Sequence, residues 1–180
     1  MGFWIVAAAV AALLVWVVSI YNRLVRLRNQ VRTAWADIDV QLTRRHDLVP
    51  QLVTAVKGYA GHEKTMLEAV TELRARALAE KSPARLGEVE SALEQAMSRI
   101  FALQEAYPDL KASENFIALQ RDLVEVEDHL QYARRFYNGA VKQYRNRLES
   151  FPHVLFARAF GFRELPFFET DDRAPVKVQL

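Results

Sequence analysis

The densest group of reactive side chains in this 180-residue chain is Asp37, Asp39, Arg44, Arg45, His46 and Asp47. Carboxylates and an imidazole this close together could ligate a divalent cation or form a ligand site. They equally suit a corner between two helices, with Asp47 capping the second helix and the arginines balancing the acids. The corner needs no ligand, and it is the preferred reading. A metal-dependent enzyme at this corner is the least favoured of three functional readings.

Other searches for chemistry fail on spacing. Di-metal sites in helical bundles use Glu-x-x-His pairs, yet the residues three before the four histidines are Thr43, Tyr59, Val126 and Ser150. His62-Glu63 opens like a zinc-binding HExxH helix, but Met66 stands in the last position. Glu125, Glu127 and Asp128 read as a solvated helix face. No glycine-rich phosphate loop or GxSxG elbow occurs. The chain has no cysteine, which removes thiolate metal sites, thiol nucleophiles and disulfides together. The expectation is a protein that is not an enzyme and carries no metal and no cofactor.

The elements that hold these residues begin with an apolar run. Phe3 to Tyr21, FWIVAAAVAALLVWVVSIY, contains no charge and is about as long as a spanning helix requires. Trp4 and Tyr21 lie near its ends, where amphipathic rings favour the headgroup level. It lacks the charged start and small-residue cleavage site of a signal peptide. Arg23, Arg26, Arg28 and Arg32 follow it before the first acid, Asp37, and no Lys or Arg precedes it. Positive flanks stay in the cytoplasm, so the N-terminus is expected outside the membrane and the main domain in the cytoplasm. Ala7, Ala8, Ala11 and Ala12 have the small-xxx-small spacing that lets spanning helices pair, which leaves a homo-oligomer open. A net charge of +2, with no basic stripe beyond these first turns, points away from nucleic acid.

Beyond the apolar run, apolar residues step by three and four along four stretches. Leu24, Leu27, Val31, Ala34 and Ile38 continue the first helix directly. Leu52, Val56, Tyr59, Met66, Val70, Leu73 and Ala77 form the second stripe, and Glu63 interrupts it. Leu86, Val89, Leu93, Ala96, Ile100, Leu103 and Tyr107 form the third. The fourth and most regular is Phe116, Leu119, Leu123, Val126, Leu130, Ala133, Tyr137, Ala140 and Tyr144. Such a repeat turns one seam of each helix toward a partner, as in a coiled coil. The breaks are expected at Asp47 with Pro50 in the next turn, at Ser82-Pro83, at Tyr107-Pro108 with Ser113 as the following cap, and at Phe151-Pro152.

The fold class expected is all-α: an N-terminal transmembrane helix continuous with an antiparallel up-down four-helix bundle. The anchor covers residues 1–22, the bundle 23–150, and an aromatic and basic segment with a tail 151–180. Antiparallel pairing about the first corner places Trp35 beside Gly58, with a break at Gly58–Gly61 as the alternative. Up-down order also returns the fourth helix to the membrane. There Phe156, Phe160 and Phe162, with Arg158 and Arg163, either lie in the interface or plug the end of the bundle.

At AWADIDVQLTRRHDLVP, VKGYAGHE, EAYPDLKASENF and ARRFYNGAVKQY…ESFP, the chain resembles the LemA family of bacterial membrane proteins, from about Tyr21 to Glu169. The resemblance implies one spanning helix, a soluble helical bundle and no established catalytic activity. It also implies accessory or scaffold roles, some in magnetosome formation and others beside membrane proteases or in envelope stress. The matching positions include Asn22, Pro50, Lys57, Pro108, Leu110, Phe116 and Pro152. Among them, Asp37, Asp39, Arg44, Arg45, His46, Asp47, Tyr107, Asn115, Arg134, Tyr137 and Asn138 are the candidate interaction residues. Val126 and Arg145 depart from the threonine and asparagine usual in the family, which weakens any polar site along the fourth helix.

The leading functional reading is a membrane-anchored scaffold that binds a protein partner not identified by the sequence, with membrane lipid around its spanning helix. The second is a membrane-shaping protein that self-associates through the spanning alanines and grips the interface with Trp4, Tyr21, Phe156, Phe160 and Phe162.

Overall fold

In the computed structural model, residues 1–168 are described; the tail beyond them, and Glu169 at the limit of the family resemblance, lie outside the described residues. The order is α1 (Gly2–Lys57), α2 (Lys64–Ala79), α3 (Pro83–Ala102), a 3-10 turn (Leu103–Glu105), α4 (Pro108–Lys111), α5 (Glu114–Glu149) and α6 (His153–Ala159). Among the described residues there is no strand. The chain divides into two compact units. The first joins Met1–Ala36 with Arg135–Pro166, and the second is built on Asp37–Arg134.

In the first unit, α1 begins apolar and uncovered. Its apolar window has a mean hydropathy of 2.6 and only 6% of it is buried within the protein. A soluble core helix of this composition would be covered by its neighbours. From Ile20 onward the helix gains an inward face, with Ile20, Leu24, Val31 and Ala34 buried. From α5 the unit buries Tyr137, Ala140, Val141, Tyr144 and Leu148. Trp35 meets Tyr137 edge-on at 5.3 Å between centroids, so its partner is Tyr137 and the expected place beside Gly58 is wrong.

The chain then doubles back after α6. Gly161 has φ 70°, a conformation that glycine adopts without strain. With it, the Phe162 N–H reaches the Ala157 carbonyl at 2.9 Å, closing a Schellman-type cap. That turn buries Phe162 against Tyr21, with Arg28 over its ring at 5.2 Å. Phe160 also meets Tyr21, and Phe156 meets Trp16. The C-terminal aromatics therefore lie along α1 from Trp16 to Arg28. Phe162 is covered by the protein, whereas Phe156 and Phe160 keep surface for an interface.

The second unit corrects the first expected corner. α1 runs through His46, Asp47 and Pro50 without a break and ends at Lys57. Proline inside a helix leaves the carbonyl four residues earlier without its N–H partner. Here that carbonyl belongs to His46, and Arg74 Nε of α2 donates to it at 2.7 Å. Asp47 is exposed and caps nothing. The reversal falls instead between Lys57 and Lys64, at the Gly58–Gly61 alternative. There the Ala60 N–H bonds to the Val56 carbonyl at 2.8 Å. A Cβ on Gly61 would meet the Lys57 carbonyl oxygen at 3.3 Å, so glycine suits this close turn.

The core of this unit gathers Val49, Leu52, Val56 and Ala60 with Leu67, Val70, Leu93, Met97, Ile100, Leu110, Phe116 and Leu123. Two stripes shift from expectation. On α2, Leu67 is buried and Met66 is exposed. On α3, the buried set is Leu86, Gly87, Glu90, Leu93, Met97 and Ile100, displaced from Val89 and Ala96. The α5 stripe holds except at Ala133, where Arg134 is the buried residue, and the Phe116 N–H reaches Ser113 Oγ at 3.4 Å, the expected cap. The described residues contain six α-helices where four were expected, because the Tyr107-Pro108 and Phe151-Pro152 breaks each nucleate a short extra helix.

Two buried phenols in the first unit differ in one bond. Tyr137 donates to the Pro166 carbonyl at 2.8 Å, whereas the Tyr144 hydroxyl has no hydrogen-bond partner among the described residues. Burial pushes both phenols up from their ordinary value. Tyr137→Phe should therefore lose about 1 kcal/mol, while Tyr144→Phe should be neutral or stabilising. Urea unfolding of the full chain in detergent checks this; equal losses in the two variants would refute it.

Candidate functional site

The second unit holds a charge network inside its core. Glu90 sits on α3 at a stripe position, between Leu86 and Leu93, and has no exposed surface. Its Oε2 accepts from Arg45 Nη1 at 3.0 Å, and its Oε1 lies 2.6 Å from His46 Nε2. Both partners stand on consecutive residues of α1, which directs two donors at one carboxylate. Arg45 is 1% exposed, and its Nη2 faces Glu127 of α5. Glu127 also faces Arg134 at 3.6 Å, and Arg134 reaches Glu94 of α3 at 3.8 Å. Arg134 lies over the Phe168 ring at 5.2 Å. Arg74 adds a tie from α2 through the His46 carbonyl.

The electrostatics follow from burial. Desolvation lowers the proton affinity of Arg45 from its ordinary value, and the adjacent Glu90 opposes that shift. Isolated buried charges cost several kcal/mol each, so the group is tolerable only as a set. Both Glu90 oxygens are engaged and closed to solvent, leaving no accessible oxygen for a substrate. Among the described residues, no group of three or more His, Asp and Glu is placed to hold a metal ion. What this arrangement does is join α1, α3 and α5.

The sequence candidates divide accordingly. Arg45, His46 and Arg134 enter the network. Arg44 makes an exposed pair with Glu125 at 3.1 Å. Asp37, Asp39, Asp47 and Asn115 are exposed and outside the network. Tyr107 donates to Glu63 Oε1 at 3.2 Å, which gives that stripe-breaking acid a partner. Tyr137 belongs to the first unit, as does the half-buried Asn138. Three functional acids were missed: Glu90, Glu94 and Glu127. Glu127 is no solvated residue, because Arg45 and Arg134 both face it. The available signal was Glu90 itself, an acid three residues before Leu93 and four after Leu86 on an apolar seam.

The first unit carries a different feature. A surface cleft of about 330 Å³ is lined by Arg23 and Leu27 of α1, by Gln143, Asn146 and Arg147 of α5, and by Ser150 just beyond it. His153 is buried nearby with its Nδ1 unpartnered.

Against known proteins, the sequence profile of the LemA family matches residues 34–180. The chain belongs to the LemA family. The match covers the whole charge network and begins after the apolar segment of α1. Among curated proteins, this LemA-family chain is similar to magnetosome protein MamQ 2 of Paramagnetospirillum magneticum, 22% identical over 178 residues, covering 83% of this chain and 64% of that protein. It is 23% identical over 161 residues to protein LemA of Metamycoplasma hominis, covering 87% of this chain and 72% of that one. Magnetosome protein MamQ of Magnetospirillum gryphiswaldense is 20% identical over 177 residues, with 82% and 64% covered. The chain thus spans just under two thirds of the length of its MamQ relatives.

Two predictions come from these sites. Glu90→Ala leaves Arg45 buried beside a hole, so it should cost roughly 3–5 kcal/mol of stability, read by urea unfolding. A loss no larger than that of Asp39→Ala, an exposed control, would show that the network is not what ties the unit. The second concerns His153, whose affinity for a proton is lowered by burial and then by the charges of Arg147 and Arg23. The unfolded chain protonates this histidine at higher pH than the folded one does. Its stability contribution is full above the ordinary value of 6.5 and falls as pH drops through the lowered folded value. Between about pH 7.5 and about pH 5.5 the wild type should lose more of its urea midpoint than His153→Gln does. Parallel losses would rule this out.

Proposed function

We propose that this LemA-family chain is a single-pass, membrane-anchored scaffold that binds protein partners and performs no catalysis itself. The observation that carries the reading is the uncovered apolar start of α1, exposed from Phe3 to Trp16 and covalently continuous with a folded, charge-locked unit. An apolar helix of this length left bare by its own protein is satisfied by lipid. The arginines after it favour an N-terminus outside a bacterial inner membrane and a cytoplasmic second unit. In this reading the helices of that unit form an up-down bundle whose polar surface presents the partner site.

The second unit offers surface for a partner. Ile117 and Val124 of α5 are exposed apolar residues among polar neighbours. A groove of about 560 Å³ beside α2 has Val53, Leu67 and Ala75 along it, with Lys57, Lys64 and Glu68 at its rim. Three relatives bear the name magnetosome protein, which favours service within a larger assembly for this chain too. Accessory action beside a membrane protease or in an envelope process is the further form of this proposal.

A second reading, membrane shaping by self-association, is favoured by the contacts of Phe156 with Trp16 and of Phe160 with Tyr21, beside the apolar helix. One experiment separates the two. Photo-crosslinking residues are placed at Val124 and Thr71 of the full chain in intact cells. A discrete adduct with another protein at either position is expected, and mass spectrometry names the partner. Adducts only with lipid or with a second copy would replace the scaffold with the membrane-shaping reading.

A further inference from the structure

Charge is divided sharply between the two units. The segments 1–36 and 135–166 carry ten Arg and Lys against two Glu, a formal net of +8. Residues 37–134 carry twelve basic and seventeen acidic residues, a net of −5. The small net charge of the whole chain conceals this separation. Both acids of the first unit, Glu149 and Glu164, pair with one residue, Arg145, at 3.1 and 3.3 Å.

Arg23 and Arg147 face one cleft, together with Gln143, Asn146 and Ser150. Neither arginine has an ion-pair partner among the described residues, and no acid lines the cleft. The amides and hydroxyl add neutral hydrogen-bonding groups beside two guanidinium groups, which is the chemistry of a phosphate-oxygen site. Leu27 supplies an apolar wall. Height decides the source of the phosphate. Arg23 follows the end of the apolar run at Tyr21 by two residues, about 3 Å along a helix. Tyr21 carries Phe160 against it, and Phe151 is 80% exposed one residue after Ser150. The amphipathic ring of Tyr21 settles at the headgroup level of a bilayer.

The geometry points to a headgroup site: the cleft between α1 and α5 binds the phosphate of an anionic phospholipid in the membrane that α1 crosses. This rests on the reading of α1 as a spanning helix. Arg23 and Arg147 hold the phosphate oxygens, Asn146 and Ser150 contribute donors, and the acyl chains run along the exposed apolar surface of α1. The anchor then senses lipid type as well as hydrophobic thickness. The sequence hides the site because one arginine follows the first apolar run and the other closes α5.

The test uses the full chain reconstituted in vesicles of equal parts phosphatidylcholine and phosphatidylglycerol, with spin-labelled forms of each lipid. Each arginine at an anionic surface is worth roughly five-fold in association, so the protein should restrict phosphatidylglycerol at least about five-fold over phosphatidylcholine. Arg23→Gln combined with Arg147→Gln should bring the preference close to unity. Arg158→Gln combined with Arg163→Gln removes the same charge from the same unit outside the cleft and should leave most of the preference in place. Equal loss in both pairs would mean diffuse attraction and would overturn the cleft. Displacement of the labelled lipid by millimolar inorganic phosphate would mark a soluble anion as the occupant and overturn the lipid assignment. Extraction of the protein from vesicles by alkaline carbonate would overturn the spanning reading itself. Retention without lipid preference would overturn only the headgroup site.

Discussion

A carboxylate with no path to water must be answered inside the protein, and Glu90 is answered from one side by two adjacent residues of α1. Placing Arg45 and His46 side by side fixes both the rotation and the height of α1 against α3. Arg45 then carries the constraint to Glu127 on α5, and Arg134 carries it on to Glu94. An apolar seam alone is permissive about sliding, because one heptad layer resembles the next. A shared buried carboxylate is not, because a shift of one turn would strand both a cation and an anion. The second unit is therefore held by a register device embedded in an ordinary apolar core.

The same device explains how α1 can be so long. A proline in mid-helix removes one hydrogen bond and usually bends or ends the helix. At Pro50 the orphaned carbonyl is that of His46, whose ring is engaged with Glu90. Arg74 meets that carbonyl, so backbone and side chain of one residue are both satisfied from neighbouring helices. The helix continues one further turn and more, until the Gly58–Gly61 stretch releases it.

Much of this was legible in the sequence, and the failures share a cause. The apolar run, the regular α5 stripe, the Ser113 cap and the breaks at Ser82-Pro83 and Phe151-Pro152 are local signals, written within a turn or two of where they act. The continuation through Pro50 depends on Arg74, and the burial of Glu90 depends on Arg45 and His46, each distant in sequence. Local rules assign a proline to a helix start and an acid to a solvated face. Arg45 and His46 were found as part of a polar cluster, but their chemistry was misread because the charge that completes it lies on α3. Asp37, Asp39 and Asp47 drew attention by proximity alone, and they face water.

Charge placement in the two units obeys opposite logic. In the second unit the cations and anions that are buried are matched to one another, and the unit as a whole carries an acidic surplus. In the first, arginines are left unmatched along a helix that emerges from an apolar run. Unmatched guanidinium groups on a water-facing surface gain little from one another and repel at short range. They become favourable when an anionic surface lies beside them, and the attraction falls off within a Debye length of that surface. Aromatic contacts from Trp16 to Phe162 hold the C-terminal segment at the same level of α1. One buried carboxylate thus organises the unit that carries no anchor, and a surplus of exposed arginine marks the unit that does.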